Sequence, residues 1–262
     1  MTGAAGPVAG SGREARPASV ALLAAAVGRP DRAATVTAEL TASVADAPAG
    51  QQDDLAFAAV QAVLPQTAAW LVGRGLTDEQ AAASIADVVR KRDRYGVRGT
   101  GLDWFCAVAT GRVVAVGRLQ YEVGAHLPDG SPAWGVHVPE TGPLDVDACD
   151  RSFRAAPDVL RRLAPDLAAD TWSCRSWTLD PGLPAVLGPN ANLVRFAGRF
   201  ALLPASDADE HEGDASVAKF VFGLPLDQAR AAVARGRLQL AVLDRWRVGG
   251  HWTERTGVAP VS

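Results

Sequence analysis

The sequence has no excess of positive charge: 26 Lys and Arg stand against 29 Asp and Glu, a net charge of −3. It therefore lacks the basic face by which nucleic acid is held, and no nucleic-acid partner is expected. Cysteine is scarce. Cys106, Cys149 and Cys174 are far apart and odd in number, which excludes metal spacing and suits reduced thiols in a cytoplasmic setting. The 4 histidines are scattered without ligand spacing, so no metal is expected. No apolar run reads as the roughly 20 residues of a spanning helix, so no membrane is expected either. Val20–Gly28 is apolar and follows Arg13 and Arg16. However, Arg29, Asp31 and Arg32 stand where a cleavage region would be small and neutral, so the stretch reads as a first amphipathic helix. Nothing in the sequence marks an oligomeric state.

Hydrophobic residues are plentiful, at 48% with 21% charged, enough to bury a core in one large or two small domains. Residues 1–16 are rich in Gly, Ala, Pro and Ser and read as a disordered tail. Helical signals fill 17–100. The clearest runs from Thr77 to Tyr95: Thr77-Asp-Glu-Gln80 is a capping box, and Gly96 suits the left-handed position after a helix. Pro65 is expected to kink the helix before it. Arg98–Gly101 reads as a hinge.

Strand signals follow. Residues 102–108, 112–124 and 132–139 are expected to pair antiparallel, joined at Thr110-Gly111 and Asp129-Gly130. An Asp-Gly pair between alternating runs is a strong hairpin signal. A two-residue loop there sets Glu122 opposite His137 and Gln120 opposite Pro139; one at Thr110-Gly111 sets Asp103 opposite Arg118. Alternation puts Asp103, Arg118, Gln120, Glu122 and His137 on one face. Trp104, Cys106, Val108, Tyr121, Trp134 and Val136 fall on the other, a core face. The polar face suits either a solvated surface or a site.

Beyond Leu144 the signals alternate. A helix starts at Asp145 or Asp147 and bends at Pro157. A strand covers 171–179, loop and short helix 184–194, and strands 196–203 and 218–223. Asp207–Asp214 reads as an acidic surface loop. A helix over 226–247 divides at Gly236. The whole is an α/β (α+β) protein: a helical domain over 17–100, then, over 101–262, a mixed, mostly antiparallel sheet with helices on both faces.

Several motifs go beyond topology: Arg74-Gly-Leu-Thr-Asp78, Gly101-Leu-Asp-Trp104, Gly117-Arg-Leu-Gln-Tyr-Glu122, His137-Val-Pro139, Gly142-Pro-Leu144, Cys174-Arg-Ser-Trp177, Leu179-Asp-Pro181, Asn192-Leu-Val-Arg-Phe196 and Gly249-Gly-His-Trp252. In order and spacing the chain resembles the bacterial acyltransferase domain-containing proteins over about 70–255. These pair a helical N-acyltransferase N-terminal domain with a GNAT-like C-terminal domain. It departs from their pattern at Thr178, Ala191 and Leu240, where the family tends to have Leu, Ser and Arg.

The resemblance implies an acyltransferase moving an acyl group from a thioester, acyl-CoA or carrier-bound, to an amine or hydroxyl of a small molecule. The competing reading is a non-catalytic GNAT-like module that binds a ligand or partner. Such chemistry needs a base, and His137 with Glu122 behind it would serve. Arg118, Gln120, Asp103, Ser176, Asn192 and Arg195 are candidate substrate contacts. Gly142 and Leu144 stand where the fold usually cradles CoA's pyrophosphate. Here Glu140 and Asp145 flank that loop and Pro143 removes a donor, so the cradle reads as weak. Cys174 with His137 is a further candidate nucleophile and base.

Overall fold

The computed structural model describes residues 14–261. The tail expected over 1–16 therefore lies outside the described residues as far as position 13. Arg16 is held at the start of the first helix: its guanidinium donates to Ser43 O, at 2.8 Å, and to Asp46.

Five helices come first: α1 Pro17–Ala24, α2 Ala33–Ser43, α3 Ala49–Gly73, α4 Asp78–Thr100 and α5 Leu102–Ala109. They enclose one core built on Leu23, Leu40, Phe57, Val60, Val63 and Phe105. By length and composition α3 would suffice to cross a membrane. In this fold its apolar face is spent on burial: Phe57, Val60, Val63 and Leu64 face that core, and Leu71 is buried in the core beneath the sheet. It also runs unbroken through Pro65. The α4 capping box is formed, Thr77 Oγ1 accepting from Gln80 N at 3.1 Å and Gln80 Oε1 accepting from Thr77 N at 3.0 Å. Gly96 stands inside α4 at φ +69°, ψ 176°. It kinks the helix instead of ending it, and the expected hinge over 98–101 is the helix's last turn.

The expected strand over 102–108 is helix α5. Phe105 to Ala109 are buried on every side, and a helix buried all round shows no 3.6-residue period to read. The antiparallel meander survives, shifted along the chain. Gly117-Arg118 turns the expected long strand back on itself, giving β1 Val113–Val116 and β2 Leu119–His126, followed by β3 Pro132–His137. Asp103 is therefore not opposite Arg118, and Trp104, Cys106 and Val108 are not on the sheet.

Helix α6 Val146–Leu163 carries the chain over to β4 Thr171–Ser176, parallel to β3. Asp145 caps α6, accepting from Ala148 N at 2.7 Å, and Pro157 sits inside it without breaking it. Short helices α7 Leu183–Leu187 and α8 Asn192–Ala197 lead to a two-residue strand, β5 Ala201–Leu202. The expected strand over 196–203 is thus mostly helix and turn. Next come α9 Asp209–Val217 and a π-helical turn, Ala218–Phe222, where a strand was expected. The expected acidic loop is α9 itself, with Asp209 and Asp214 buried. α10 Leu226–Arg230 and α11 Arg237–Arg247 divide at Gly236 as expected, and β6 Arg255–Pro260 returns the chain to the sheet. The six strands lie in the order β1-β2-β3-β4-β6-β5. The face carrying Tyr121, Trp134, Val136 and Trp172 packs against Cys149, Ala156 and Leu160 of α6. Gln120, Glu122, Gly135 and His137 belong to the opposite face, near α4 and α5.

Candidate active site

The register across β2 and β3 differs from the sequence expectation by two residues. The connection is five residues, Leu127 to Ser131, with His126 paired to Pro132. That is a slip of one. A bulge between Glu122 and Ala125 adds a second, at Gly124 with φ +69°. A slip of one would turn every side chain to the other face; two restore it. His137 therefore pairs with Gln120 and Glu122 with Gly135, all on the polar face. Glu122 reaches His137 diagonally, Oε2 to Nε2 at 3.1 Å.

The space for this contact comes from Gly135. A Cβ there would stand 3.0 Å from Glu122 Cβ, 3.3 Å from its Oε2 and 3.4 Å from His137 Nε2. Gly135→Ala is expected to leave the fold intact and to cut turnover by ten- to a hundredfold through displacement of the imidazole. Steady-state kinetics beside a melting curve checks this; turnover equal to wild type would show that the pair's spacing is irrelevant.

Arg112 holds the other carboxylate oxygen, Nε to Oε1 at 2.7 Å. Burial opposes ionisation of Glu122, but His137 and Arg112 outweigh it and lower the pKa from 4.5 to about 2. A folded pKa below the unfolded one stabilises the fold above the unfolded value. That stabilisation is lost as pH falls through the folded one. The loss belongs between about pH 5 and pH 2 and is on the order of 2 kcal/mol. Urea midpoints of wild type and Glu122→Gln, taken across this window, are expected to converge as pH falls. A constant gap would show that Glu122 titrates normally.

His137 opens onto a cavity of about 860 Å³. β3 and β4 pair only at Trp134–Trp172 and Gly135–Ser173. Beyond that they part, and the cavity lies between Val136–Pro139 on one side and Cys174–Thr178 on the other. Trp104 of α5 stands edge-on to His137, centroids 4.9 Å apart, and Lys91 Nζ lies 4.3 Å from the Trp104 ring centroid. α4 adds Tyr95 and Thr100, the π-helical turn adds Lys219 and Phe220, and α11 adds Arg237, Leu238 and Gln239. Burial pushes the Lys91 ammonium pKa down and the Glu254 carboxyl up.

Of the sequence candidates, His137, Arg118, Gln120, Gly142, Leu144, Ser176 and Asn192 line this cavity, with Glu122 behind His137. Asp103 and Arg195 do not. Asp103 is exposed on α5, and Arg195 lies in α8 off the cavity wall. Arg118 donates to Pro139 O at 3.0 Å, Gly142 O at 3.0 Å and Pro143 O at 2.8 Å, so it fastens the 139–143 loop. Ser176 Oγ is engaged locally, accepting from Thr178 N at 3.1 Å. Cys174 is 1% exposed and burial pushes its thiol up to about 12, which removes it as a thiolate nucleophile. Sequence reasoning missed Lys91, Tyr95, Lys219 and Glu254. Lys91 and Tyr95 fall on the helix read over Thr77–Tyr95, Lys219 on the stretch read as a strand and Glu254 beyond the last element read, and nothing in their spacing marked them as facing one cavity. Among the described residues no cluster of His, Cys, Asp and Glu could hold a metal.

The model of the GNAT-like C-terminal domain family matches residues 113–259, more than half of the chain. The chain belongs to this family. Its helical N-terminal region is in keeping with the acyltransferases it resembles in structure. One, solved as an acyltransferase in complex with decanoyl-CoA and teicoplanin, is 25% identical with a TM-score of 0.68, over 95% of this chain and 85% of that one. Another, solved in complex with decanoyl-CoA, is 26% identical with a TM-score of 0.68 over the same shares. No curated protein sequence matches the chain.

Proposed function

We propose that this GNAT-like protein is an acyl-CoA-dependent acyltransferase that transfers the acyl group to an amine or hydroxyl of a small molecule. The observation that carries this is the His137–Glu122 pair at the mouth of the opening between β3 and β4. Two parallel strands that part expose backbone able to bond an extended amide chain by strand addition. The pantetheine arm of CoA is such a chain. Structurally similar acyltransferases hold decanoyl-CoA, and the lining Trp104, Val136, Leu144, Trp177 and Leu193 suits an acyl chain.

With Nε2–H donated to Glu122, the neutral imidazole keeps Nδ1 as its unprotonated nitrogen. Nδ1 takes the proton as the acceptor's nitrogen or oxygen attacks the thioester carbonyl. The C–S bond then breaks and the thiolate leaves, to be protonated in turn by the imidazolium. The Arg112–Glu122 contact keeps the carboxylate ionised throughout.

A non-catalytic binding module is favoured by one observation. Asp145 occupies the start of α6, where a phosphate would otherwise be bonded, and Arg118 ties up the adjoining carbonyls. In our reading the phosphates lie instead toward Arg237 and Gly236 at the start of α11. The test is a thermal shift with decanoyl-CoA, followed by thiol release from it across a panel of amines and alcohols. A ligand bound at a hundred times its Kd adds about 2.7 kcal/mol to stability, a shift of several degrees. No shift with any acyl-CoA would refute the acyltransferase reading; a shift without thiol release would favour the binding module.

A further inference from the structure

Four buried side-chain polar atoms lack a hydrogen-bond partner among the described residues: Tyr95 Oη, Gln120 Oε1, Glu140 Oε1 and Arg255 Nε. Arg255 Nε still lies 3.1 Å from Asp209 Oδ2. The other three residues all line the cavity. An orphaned buried polar atom costs stability, and folded proteins leave few of them. Tyr95 Oη and Glu140 lie close enough for a long hydrogen bond to each other, so Gln120 Oε1 is the acceptor in this wall without a protein donor, and it points to a ligand that completes it.

Their placement says which ligand. Gln120, 2% exposed, is on β2 directly opposite His137. Tyr95 comes from α4, and Glu140 follows β3 with its other oxygen held by Arg94 Nε at 3.1 Å. Gln120 lies on the β2 side of His137, Glu140 is tied to α4 through Arg94, and Tyr95 also meets Phe220 of the π-helical turn. The opening between β3 and β4, where the thioester is placed above, lies on the other side of His137. Gln120 Oε1 and Glu140 Oε1 can only accept hydrogen bonds. Burial, then a hydrogen bond to the Glu140 carboxylate and its charge, push the Tyr95 hydroxyl pKa up, so it stays protonated. Lys91 and Lys219 also line the cavity, but each has carboxylates beside it: Asp87 and Glu140 for Lys91, Glu140 and Glu254 for Lys219.

Building on the acyltransferase reading, we propose that Gln120, together with the Tyr95–Glu140 pair beside it, recognises the acyl acceptor, which presents at least two N–H or O–H donors at or beside its nucleophilic atom. The class is an amine or alcohol with a vicinal hydroxyl or amide, in preference to a plain alkyl amine. A site built to bond such donors rejects analogues lacking them, because its own acceptors then stay unpaired.

The experiment compares trans-2-aminocyclohexanol with cyclohexylamine, using decanoyl-CoA as donor, in wild type, Gln120→Leu and Glu140→Gln. Decanoyl-CoA affinity is measured first, by calorimetry. The wild type is expected to favour the amino alcohol by tenfold or more in kcat/KM. Each variant should bring that ratio severalfold closer to one, with decanoyl-CoA affinity within twofold of wild type. Gln120→Leu is expected to melt no lower than wild type, because it removes an orphaned group; a purely structural glutamine would give a lower melting point. An undiminished preference in both variants would overturn the proposal. So would lost decanoyl-CoA affinity with the preference retained, which would assign the groups to the donor. If neither amine is acylated, ligand-observed NMR binding of the two amines decides, and equal binding overturns the proposal. Failure of decanoyl-CoA to bind wild type would refute the acyltransferase reading itself, separately from the amine comparison.

Discussion

Replacing His137 by Gln is expected to lower turnover by roughly a hundredfold or more while the protein melts close to wild type. The side chain is about one-third exposed, so little core packing goes with it. Glu122 loses one partner but keeps Arg112 at 2.7 Å, so no carboxylate is left buried and alone. The variant keeps a polar group in reach of Glu122 and loses the imidazole nitrogen that would take the acceptor's proton. Glu122→Gln is expected to do less harm, because the imidazole remains and only its tautomer and orientation are released. The two variants thus separate the base from its orienting group. Full turnover in a well-folded His137→Gln protein would end the role assigned to His137.

The pair was legible in the sequence although its register was not. His137 and Glu122 were placed together by alternation and one Asp-Gly turn. The true connection is longer, and the bulge at Gly124 compensates. Parity decides the face, so two errors of one residue each cancelled. The capping box at Thr77 and the division at Gly236 were readable because each is a local bond or a local breaker. Two of the misreadings share one cause. Leu102–Ala109 and Ala218–Phe222 are short apolar runs, and in such runs burial hides the period that separates helix from strand. Asp103 was placed at the site by the first of those element assignments and left it with that assignment; Arg195 was named from the Asn192–Phe196 motif, and α8 carries it off the cavity wall. Tyr95, Lys91 and Lys219 were missed because their role depends on α4 and the π-helical turn closing over the sheet, a contact between residues more than a hundred positions apart. The acids of α9 read as surface residues for the same reason: their partners are distant in sequence.

Asp214 shows this most clearly, and its replacement by Ala is expected to cost about 3–5 kcal/mol. It is 2% exposed and its two oxygens serve four groups. Oδ1 accepts from Trp246 Nε1 at 2.6 Å and from Trp252 N at 2.9 Å. Oδ2 meets His251 Nδ1 at 2.8 Å and Arg230 Nη2 at 3.0 Å. Burial works against the charged carboxylate, but these donors overcome it and hold its pKa below the ordinary value. Removing it strands buried donors, among them a main-chain N–H that has no water to turn to. The damage falls on the small core of Trp177, Leu183, Val217, Val242 and Trp252. That core holds α11 in place, and Arg237, Leu238 and Gln239 at the start of α11 form the far wall of the cavity. Ligand affinity should therefore fall along with stability. Asp214→Asn should lose less, since it keeps one acceptor oxygen and the volume. Asp227→Ala, exposed on α10, should change stability by no more than about 0.5 kcal/mol. Urea unfolding at neutral pH distinguishes the three. A loss below about 1 kcal/mol for Asp214→Ala would mean that water replaces the carboxylate, and that the Gly249-Gly-His-Trp252 turn is held by packing alone.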